Sequence, residues 1–288
     1  MKTQVKSLFT MAITAVLAMT MSSCAKPVVE KNIGLQLYSV RDDMKANPEA
    51  TVLGVGKMGY KFVEAAGYGD GQFYGMAPLA FKELVEKAGM KFLGSHTGQA
   101  LPDSAQWDST MIWWDKAIAA HKEAGVQWIV QPWMGHDAFT SLEVLKKYCD
   151  YFNAIGEKCN AAGIRFGYHN HDKEFTQVDS TTLYDFMLTN TDPAKVMFQL
   201  DLYWINIGKG DALAYFEKYP GRFELYHVKD EKEIGGAESM MNFEPFFAAA
   251  EKAGMKNYIV EVERYTFEPM VSVQKSIDFL NSCAFITK

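Results

Sequence analysis

The chain contains 288 residues, of which 48% are hydrophobic, and it carries a formal net charge of −6. This composition is typical of a folded globular protein with a sizeable core and excludes a disordered or fibrous chain. The acidic balance argues against a nucleic-acid partner, because phosphate binding requires clustered Lys and Arg.

The first residues are typical of an export signal. Two Lys residues precede an apolar run over residues 8–21, which is too short to span a membrane comfortably, and two Ser residues and Cys24 follow. This order is similar to bacterial lipoprotein signals, in which the Cys is lipidated. We expect a signal peptide over residues 1–23, a lipid-anchored tether over residues 24–31, and an exported, periplasm-facing lipoprotein that contacts the membrane only through its anchor. An ordinary cleaved signal is the alternative.

The three other Cys residues do not predict a disulfide framework, because their number is odd. Cys149 and Cys159 fall on one predicted helix, about 15 Å apart along its axis, which is too far for a bridge. We expect these two residues and Cys283 to be core or surface thiols.

A repeated pattern organises residues 32–288. A helical stretch ends in Gly, and a short apolar run rich in strand-forming residues begins within four residues. The pattern occurs at Gly59, Gly89, Gly125, Gly163, Gly221 and Gly254. Gly is favoured just after a helix because it adopts the left-handed backbone conformation without a Cβ clash. Two further strands, over residues 33–38 and 196–201, lack this preceding Gly.

Eight strands thus alternate with eight helices. We expect the helices over residues 48–58, 78–88, 105–124, 140–162, 179–190, 210–219, 242–253 and 267–282. Alternating elements predict a parallel sheet, and eight units in about 250 residues predict an α/β fold, a (β/α)8 TIM barrel, as a single domain over residues 32–288. An open doubly wound sheet is the alternative. No Gly-x-Gly-x-x-Gly motif follows the first strand to support a dinucleotide site.

Polar residues cluster at the predicted C-terminal ends of the strands, where such barrels place their chemistry. In chain order these ends carry Gln36, Tyr38 and Arg41; Glu64; His96; Gln131 and Trp133; His169, His171 and Glu174; Asp201 and Trp204; His227 and Lys229; and Glu261 and Glu263. The other two His residues, His121 on a helix and His136 in a loop, are predicted to be ordinary surface residues.

Four His residues at one rim, together with Asp201 and Glu261, predict a metal site. Burying so many polar groups without partners would cost several kcal/mol, and a bound cation would satisfy them together. Alternation along a strand turns His227 inward if Leu225 points inward, and puts Glu261 and Glu263 on one face with Glu261 the deeper. A mixed set of imidazoles and carboxylates suits one divalent ion, and the sequence does not select among Mn, Co, Fe, Zn and Mg.

Five short segments, residues 34–39, 168–171, 199–201, 227–230 and 260–261, resemble the xylose isomerase-like barrel superfamily, often called the sugar phosphate isomerase/epimerase family. The resemblance covers residues 33–280.

The resemblance implies a metal held at the ends of the last four strands by His169, Asp201, His227 and Glu261. Sugar isomerases and ketose epimerases of this superfamily typically have Glu where this chain has His169, and there two metal-bound Glu residues act as the acid/base pair on opposite faces of the substrate. Glu174, in the following loop, is an alternative fourth ligand.

The resemblance also implies a reaction in which a base removes the proton α to a carbonyl and the metal stabilises the resulting enediolate. The candidate bases are Glu261, His171, Glu174 and Lys229. The candidate substrate contacts are Gln36, Tyr38, Arg41, Glu64, His96, Gln131, Trp133, Trp204 and Glu263. For Arg41, a salt bridge to Asp42 or Asp43 is the alternative.

Three functions remain open at this point. The first is a metal-dependent sugar isomerase or epimerase, which the family label favours. The second is a lyase or dehydratase that eliminates across a keto-sugar or 3-keto-glycoside; His169 favours it, as does the similarity of residues 168–171 to inosose dehydratases. The third is a non-catalytic sugar-binding lipoprotein. The expected partner is a small-molecule carbohydrate, and a homo-oligomer is left open.

Overall fold

A computed structural model describes residues 31–286 of the chain. Eight parallel strands close into a barrel: β1 (Ile33–Gln36), β2 (Phe62–Ala65), β3 (Lys91–His96), β4 (Trp128–Gln131), β5 (Arg165–His169), β6 (Val196–Asp201), β7 (Leu225–Lys229) and β8 (Asn257–Glu261). Each strand pairs with the next along the chain, and β8 pairs with β1. The predicted (β/α)8 barrel is confirmed. The predicted signal peptide, the lipidation site at Cys24 and residues 24–30 of the predicted tether lie outside the described residues.

Helices connect the strands in the predicted order. They comprise Arg41–Ala46, Pro48–Lys57, Pro78–Lys87, Trp107–Glu123, Leu142–Ala161, Leu183–Asn190, Leu202–Ile207, Ala212–Lys218, Glu244–Ala248, Ala250–Ala253 and Pro269–Ser282. The predicted bounds differ by a few residues, and the helix predicted over residues 242–253 is two short helices.

Several short elements were not predicted from the sequence. They are the helices Arg41–Ala46 and Leu202–Ile207, the 3-10 turns Leu37–Val40, His136–Phe139 and Lys173–Phe175, and two hairpins, Tyr68–Gly69 with Gln72–Phe73 and Gln177–Val178 with Thr181–Thr182. Because a 3-10 turn follows β1 directly, that strand ends at Gln36 and not at Tyr38. Elements this short carry too few residues to show a periodic pattern.

The glycines of the repeat terminate helices as predicted. Their φ values are all positive, from 75° at Gly125 to 100° at Gly59. A residue with a Cβ is strained in this conformation, so Gly is the residue that lets the chain leave each helix and enter the next strand.

The strands are buried on both faces. The inward-pointing side chains form a cluster of Phe62, Leu93, Trp128, Val130, Met197, Leu225 and Ile259. Neighbours of opposite parity, such as Val63 and Phe198, belong to the larger core between strands and helices. His227 and Glu261 share the parity of Leu225 and Ile259, so they lie on the inner side of the barrel, as alternation predicted.

The described chain begins at Lys31, which the prediction assigned to the tether. Its Nζ donates to the backbone carbonyls of Leu280 at 2.7 Å, Asn281 at 2.9 Å and Cys283 at 2.5 Å. The last carbonyls of a helix have no partner within the helix, so Lys31 satisfies the end of the final helix. Lys31 therefore belongs to the barrel.

His121 is buried, contrary to prediction, while His136 is exposed, as predicted. The ring of His121 packs against Tyr68 and Phe73, with centroid distances of 4.7 and 4.9 Å. The unpredicted hairpin after β2 supplies both of these rings and covers the helix face that carries His121.

The three Cys residues of the described chain are buried and unbridged, as predicted. Within residues 31–286, no helix has the length and apolar character needed to cross a membrane.

Candidate functional site

Four buried side chains converge at the ends of β5 to β8. His169, Asp201, His227 and Glu261 each offer one ligand atom, and these atoms all lie within 4.8 Å of one another. We call these four residues the ligand cluster. The hydrogen-bonded register explains the convergence, because Asp201 pairs with His227 across β6 and β7 and the parallel strands end at the same rim.

Asp201 shows that the cluster suits a cation. Its Oδ1 accepts from the backbone N–H groups of Tyr203 at 2.9 Å and Trp204 at 2.8 Å, which caps the helix after β6. Its Oδ2 is buried and has no hydrogen-bond partner among the described residues. Burial raises the pKa of Asp201 to about 7, against the opposing effect of the Lys229 cation. An unsatisfied buried carboxylate oxygen is costly, and a cation bound by the four side chains would satisfy it.

Glu64, at the end of β2, is the centre of a buried hydrogen-bond network. It accepts from Gln36 Nε2 at 2.8 Å, His227 Nε2 at 2.8 Å, His96 Nε2 at 3.1 Å, Gln199 Nε2 at 2.9 Å and Trp128 Nε1 at 2.6 Å. Burial alone would raise the pKa of Glu64, but His96 and His227 outweigh it and hold the pKa well below its usual value.

Glu64 and Gln36 were predicted to contact substrate, and the structure places them elsewhere. Both are fully buried, and neither lines the cavity beside the ligand cluster. Their polar groups are used by each other and by the network, so they support the site from within the barrel.

Room for this network comes from a glycine on β3. A Cβ added at Gly94 would lie 1.8 Å from Nε1 of Trp128, its neighbour in register on β4. Any larger residue at position 94 would push the indole away from Glu64.

The two imidazoles of the cluster have opposite electrostatic surroundings. Burial disfavours the charged form of His227, but Glu261 and Glu64 outweigh burial and raise its pKa to about 10. His169 lacks such a pair of carboxylates, and burial together with the neighbouring His227 holds its pKa well below the usual value.

Lys229 lies beside the cluster and forms ion pairs with two carboxylates, Glu261 and Glu263. Its Nζ is 2.7 Å from Glu263 and 3.5 Å from Glu261, and it lies over the ring of Trp204. Burial lowers the pKa of Lys229, but the carboxylates, Glu261 foremost, outweigh burial and raise the pKa above its usual value. Lys229 is therefore a cation and does not have the neutral amine that its predicted role as a base requires.

A cavity of about 400 Å³ opens beside the ligand cluster. Its polar side is formed by His96, His169, His171, Glu261 and Glu263, and its aromatic side by Tyr38, Tyr68, Trp113 and Trp133. Tyr38 and Trp133 are 43% and 42% exposed, so their rings are available to a ligand. Cavities of this size with a few convergent polar groups are typical of small-molecule sites.

His171 is the imidazole of the cavity that belongs neither to the ligand cluster nor to the network around Glu64. Burial lowers its pKa to about 4, so the ring is neutral at physiological pH. A neutral imidazole is a proton acceptor, and His171 therefore has the protonation state that a base requires.

Glu174 does not reach the ligand cluster. Its carboxylate accepts from Tyr168 Oη at 2.6 Å and from the backbone N–H of His171 at 3.0 Å, and burial raises its pKa to about 7. Glu174 thus orders the turn that carries His171, which leaves His169 in the fourth position of the cluster.

Three other predicted substrate contacts lie away from the cavity. Gln131 is buried and donates to the backbone carbonyls of Gln99 and Trp133, and Trp204 packs beneath Lys229. Arg41 forms no salt bridge with Asp42 or Asp43 and instead donates to Tyr265 Oη at 2.5 Å and to backbone carbonyls.

Sequence reasoning missed two aromatic residues of the cavity and two of the partners of Glu64. Tyr68 and Trp113 line the cavity, and Trp128 and Gln199 bind Glu64. Inward parity on β4 and β6 was a usable signal for Trp128 and Gln199, but Tyr68 comes from a hairpin that carries no periodic pattern.

Over residues 55–283 the sequence matches the family described as xylose isomerase-like TIM barrel. The chain is also similar to a sugar phosphate isomerase/epimerase from Parabacteroides distasonis ATCC 8503, with 33% identity and a TM-score of 0.83 to its crystal structure. That similarity covers 89% of this chain and 99% of the relative.

Three further similarities are more distant or shorter. The chain is 32% identical to an inosose dehydratase of Salmonella typhimurium over 82 residues, 28% of this chain and 27% of the relative. It is 25% identical to one of Lacticaseibacillus casei over 152 residues, 43% of this chain and 50% of the relative, so it spans a quarter to a half of their length. D-psicose 3-epimerase from Clostridium cellulolyticum H10 shares the fold, with 13% identity, a TM-score of 0.70, and coverage of 89% of this chain and 99% of that one.

The family match takes in β2 to β8 and every residue of the ligand cluster. The closed barrel and the near-complete superposition on a relative of 33% identity agree with it. The chain belongs to the xylose isomerase-like TIM barrel family.

Proposed function

We propose that this protein is a divalent-metal-dependent lyase that eliminates a β-substituent from a cyclic keto-sugar. The observation that carries the proposal is the fourth position of the ligand cluster, which is the imidazole of His169. The two carboxylates of the cavity, Glu261 and Glu263, both come from the end of β8. A pair of acid/base carboxylates on opposite sides of a substrate is therefore missing from the cavity lining.

His169, Asp201, His227 and Glu261 would hold the metal, which is Mn, Co, Fe, Zn or Mg. When bound, a divalent cation supplies a Lewis acid that polarises a carbonyl oxygen and stabilises negative charge on it.

His171 is the proposed base. Its neutral ring takes the proton from the carbon α to the carbonyl, and the electron pair of the broken C–H bond forms the new carbon–carbon double bond. The bond from the β-carbon to its oxygen substituent then breaks, and the imidazolium of His171 returns the proton to the departing oxygen. Atoms and charge balance without an external reactant.

The aromatic side of the cavity supports a ring-shaped substrate. Tyr38 and Trp133 offer exposed faces against which a sugar or inositol ring can pack. Glu263 and His96 on the polar side offer hydrogen bonds to its hydroxyl groups. The partial similarity to inosose dehydratases supports elimination of this kind.

A sugar isomerase or epimerase is the second candidate. It is favoured by the relative of 33% identity, a sugar phosphate isomerase/epimerase that matches nearly the whole chain. The first step is the same, and the two candidates differ in whether the proton returns to carbon or the β-substituent leaves. A non-catalytic sugar-binding lipoprotein is less well supported, because we expect a scaffold that has lost catalysis to have lost ligands, whereas all four side chains of the ligand cluster are present.

We also propose that the protein is exported and held at the cell envelope by a lipid anchor. The basic, apolar and small-residue order of residues 1–24 supports export and lipidation at Cys24, so the substrate would be a carbohydrate of the cell envelope.

Proton NMR in deuterated water tests the reaction. Metal-loaded protein is mixed with free aldoses and ketoses in one sample, and with keto-inositols and 3-keto-glycosides in another. We expect an unsaturated keto product in the second sample. Deuterium incorporation into an isomerised sugar in the first sample would establish the isomerase instead.

The variant His171→Asn should lose the activity, and His136→Asn serves as the matched control because His136 is exposed and lies outside the cavity. Equal activity in both variants would contradict the assignment of His171 as the base.

A further inference from the structure

Both carboxylate oxygens of Glu64 accept hydrogen bonds. Oε1 accepts from Gln36 and His227, and Oε2 accepts from Trp128 and Gln199. An ionised carboxylate can only accept hydrogen bonds, so each of these partners must carry a proton on the atom that faces Glu64. This requirement determines where the protons of neighbouring side chains reside.

His227 lies between two carboxylates. Its Nε2 is 2.8 Å from Glu64 Oε1, and its Nδ1 is 3.2 Å from Glu261 Oε2. In a metal-bound ring that keeps its Nε2 proton for Glu64, the lone pair of Nδ1 faces the ligand cluster. With the proton on Nδ1, the ring would bind Glu261 and present no lone pair to a cation.

Gln199 links Glu64 to His169. The amide Nε2 of Gln199 donates to Glu64 at 2.9 Å, so its Oε1 must face the other way, where it lies 3.1 Å from His169 Nδ1. An amide oxygen only accepts, so His169 carries its proton on Nδ1. Its Nε2, 3.9 Å from Asp201 Oδ2, is left with the lone pair that faces the cluster.

His96 lies against two of these acceptors, Gln199 Oε1 and Glu64 Oε1. Its Nε2 lies 2.7 Å from Gln199 Oε1 and 3.1 Å from Glu64 Oε1, so the proton is on Nε2. The ring stacks on His227 with an interplanar angle of 12°, which holds both rings in one orientation.

We propose that Glu64 is a positioning residue that selects the tautomers of both histidines in the ligand cluster, His227 directly and His169 through Gln199. It does not touch the substrate or serve as a ligand. A group that orients a metal-binding imidazole through its second nitrogen typically changes metal affinity about 10- to 100-fold when it is replaced. The inference rests on the proposed metal centre, and ring tautomers are measured without reference to activity.

The variant Glu64→Gln tests this role because it keeps the shape of the side chain but introduces a donor. If the new NH2 group takes the place of Oε1, it faces the N–H groups of His227 and Gln36. If it takes the place of Oε2, Gln199 must turn its own NH2 group toward His169. Either arrangement deprives one ligand histidine of its selected tautomer.

A matched control separates this role from a general structural one. Glu233→Gln makes the same change at a buried carboxylate that accepts from Ser272 and Thr266, away from the cluster. This control should bind Zn²⁺ as tightly as the unaltered protein, whereas Glu64→Gln should bind it about 10- to 100-fold more weakly.

Long-range ¹H–¹⁵N NMR of the histidine rings, in metal-free and Zn²⁺-loaded protein, reads the protonated nitrogens in the unaltered chain. We expect a proton on Nδ1 of His169 in both forms. In the Zn²⁺-loaded form we expect a proton on Nε2 of His227 and none on its Nδ1. A bare Nε2 on His227, or a proton on Nε2 of His169, would overturn the proposal even if Glu64→Gln failed to fold. So would equal losses of affinity in Glu64→Gln and Glu233→Gln. Protons on Nδ1 of His169 and Nε2 of His227 without any Zn²⁺ binding would uphold this inference and refute the proposed metal centre.

Discussion

Asp201 combines two roles because its two oxygens face different parts of the molecule. Oδ1 caps the helix that follows β6, and Oδ2 faces the ligand cluster without a partner among the described residues. The structural role needs only one acceptor, while the proposed metal needs the second oxygen. A substitution can therefore separate the two.

We expect Asp201→Asn to fold with a melting temperature close to that of the unaltered protein but to lose most of its metal affinity. Asn caps helices about as well as Asp, but its NH2 group cannot bind a cation. Isothermal titration with Zn²⁺ and thermal melts measure the two effects. Asp211→Asn, at another capped helix start, is the matched control. Undiminished affinity in Asp201→Asn would remove Asp201 from the metal site.

The buried His121 should make the free energy of unfolding depend on pH. Burial lowers its pKa to about 4, below the ordinary value of 6.5 that applies in the unfolded chain. Between these values the unfolded chain binds a proton that the folded protein does not. Stability therefore falls as the pH falls from about 6.5 to about 4, by up to about 1.4 kcal/mol per pH unit from this group.

The variant His121→Gln should flatten the acid side of the stability profile, because Gln can bond to Ala117 or Thr97 but does not titrate. Urea unfolding at a series of pH values measures the slope. His136→Gln, at an exposed position, should leave it unchanged. If the slopes of His121→Gln and the unaltered protein agree, another group causes the acid sensitivity.

At the scale of the elements, β3 and β4 fit together through one glycine. Gly94 and Trp128 are partners in the register, and the indole occupies the volume that a side chain at position 94 would need. The indole can then cross the inside of the barrel to Glu64 on β2. The packing of these two strands and the network below the ligand cluster thus depend on the same contact.

We expect Gly94→Ala to destabilise the protein by about 1–3 kcal/mol or more, because the added Cβ overpacks the barrel interior. Combining it with Trp128→Leu should recover part of the loss, since the indole is the group displaced, and a double-mutant cycle in urea measures the coupling. Gly69→Ala is the control, because an added Cβ there meets nothing within 4 Å. Additive effects of the two barrel substitutions would show that the indole is not what the Cβ meets.

At the scale of the whole molecule, the ligand cluster joins four consecutive strands, β5 to β8, which form half of the barrel. A ligand that binds only the folded state stabilises it by about 2.7 kcal/mol at a free concentration of 100 times its Kd. A cation in the cluster should therefore raise the melting temperature of the whole barrel.

The expected result is a rise in melting temperature on addition of Zn²⁺ or Mn²⁺, reversed by a chelator and absent in Asp201→Asn. Scanning calorimetry of metal-free and loaded protein measures it. A rise of equal size in Asp201→Asn would locate the binding outside the cluster.

Much of the fold follows from local sequence patterns. Helix-ending glycines such as Gly59 and Gly254, with short apolar runs after them, predicted the strands and helices, because backbone conformation after a helix and burial on both strand faces are local requirements. The rule that barrels place polar groups at strand ends then predicted the ligand cluster. The short hairpin that carries Tyr68 and covers His121 was not predictable, because two-residue strands show no periodicity.

The sequence by itself determined the barrel, the inward parity of His227 and Glu261, and the set of polar residues at the rim. Only the tertiary structure decided which of those residues face the cavity. Four polar residues near the ends of strands or in the turns after them form hydrogen bonds with other protein groups and not with the cavity: Gln36, Glu64, Gln131 and Glu174. The physical reason is that a strand fixes the side on which a residue lies, whereas the neighbours that satisfy its polar atoms come from other strands. The sequence therefore predicted Glu64 as a substrate contact. In the structure it is the hydrogen-bond acceptor that orients His227 directly and His169 through Gln199.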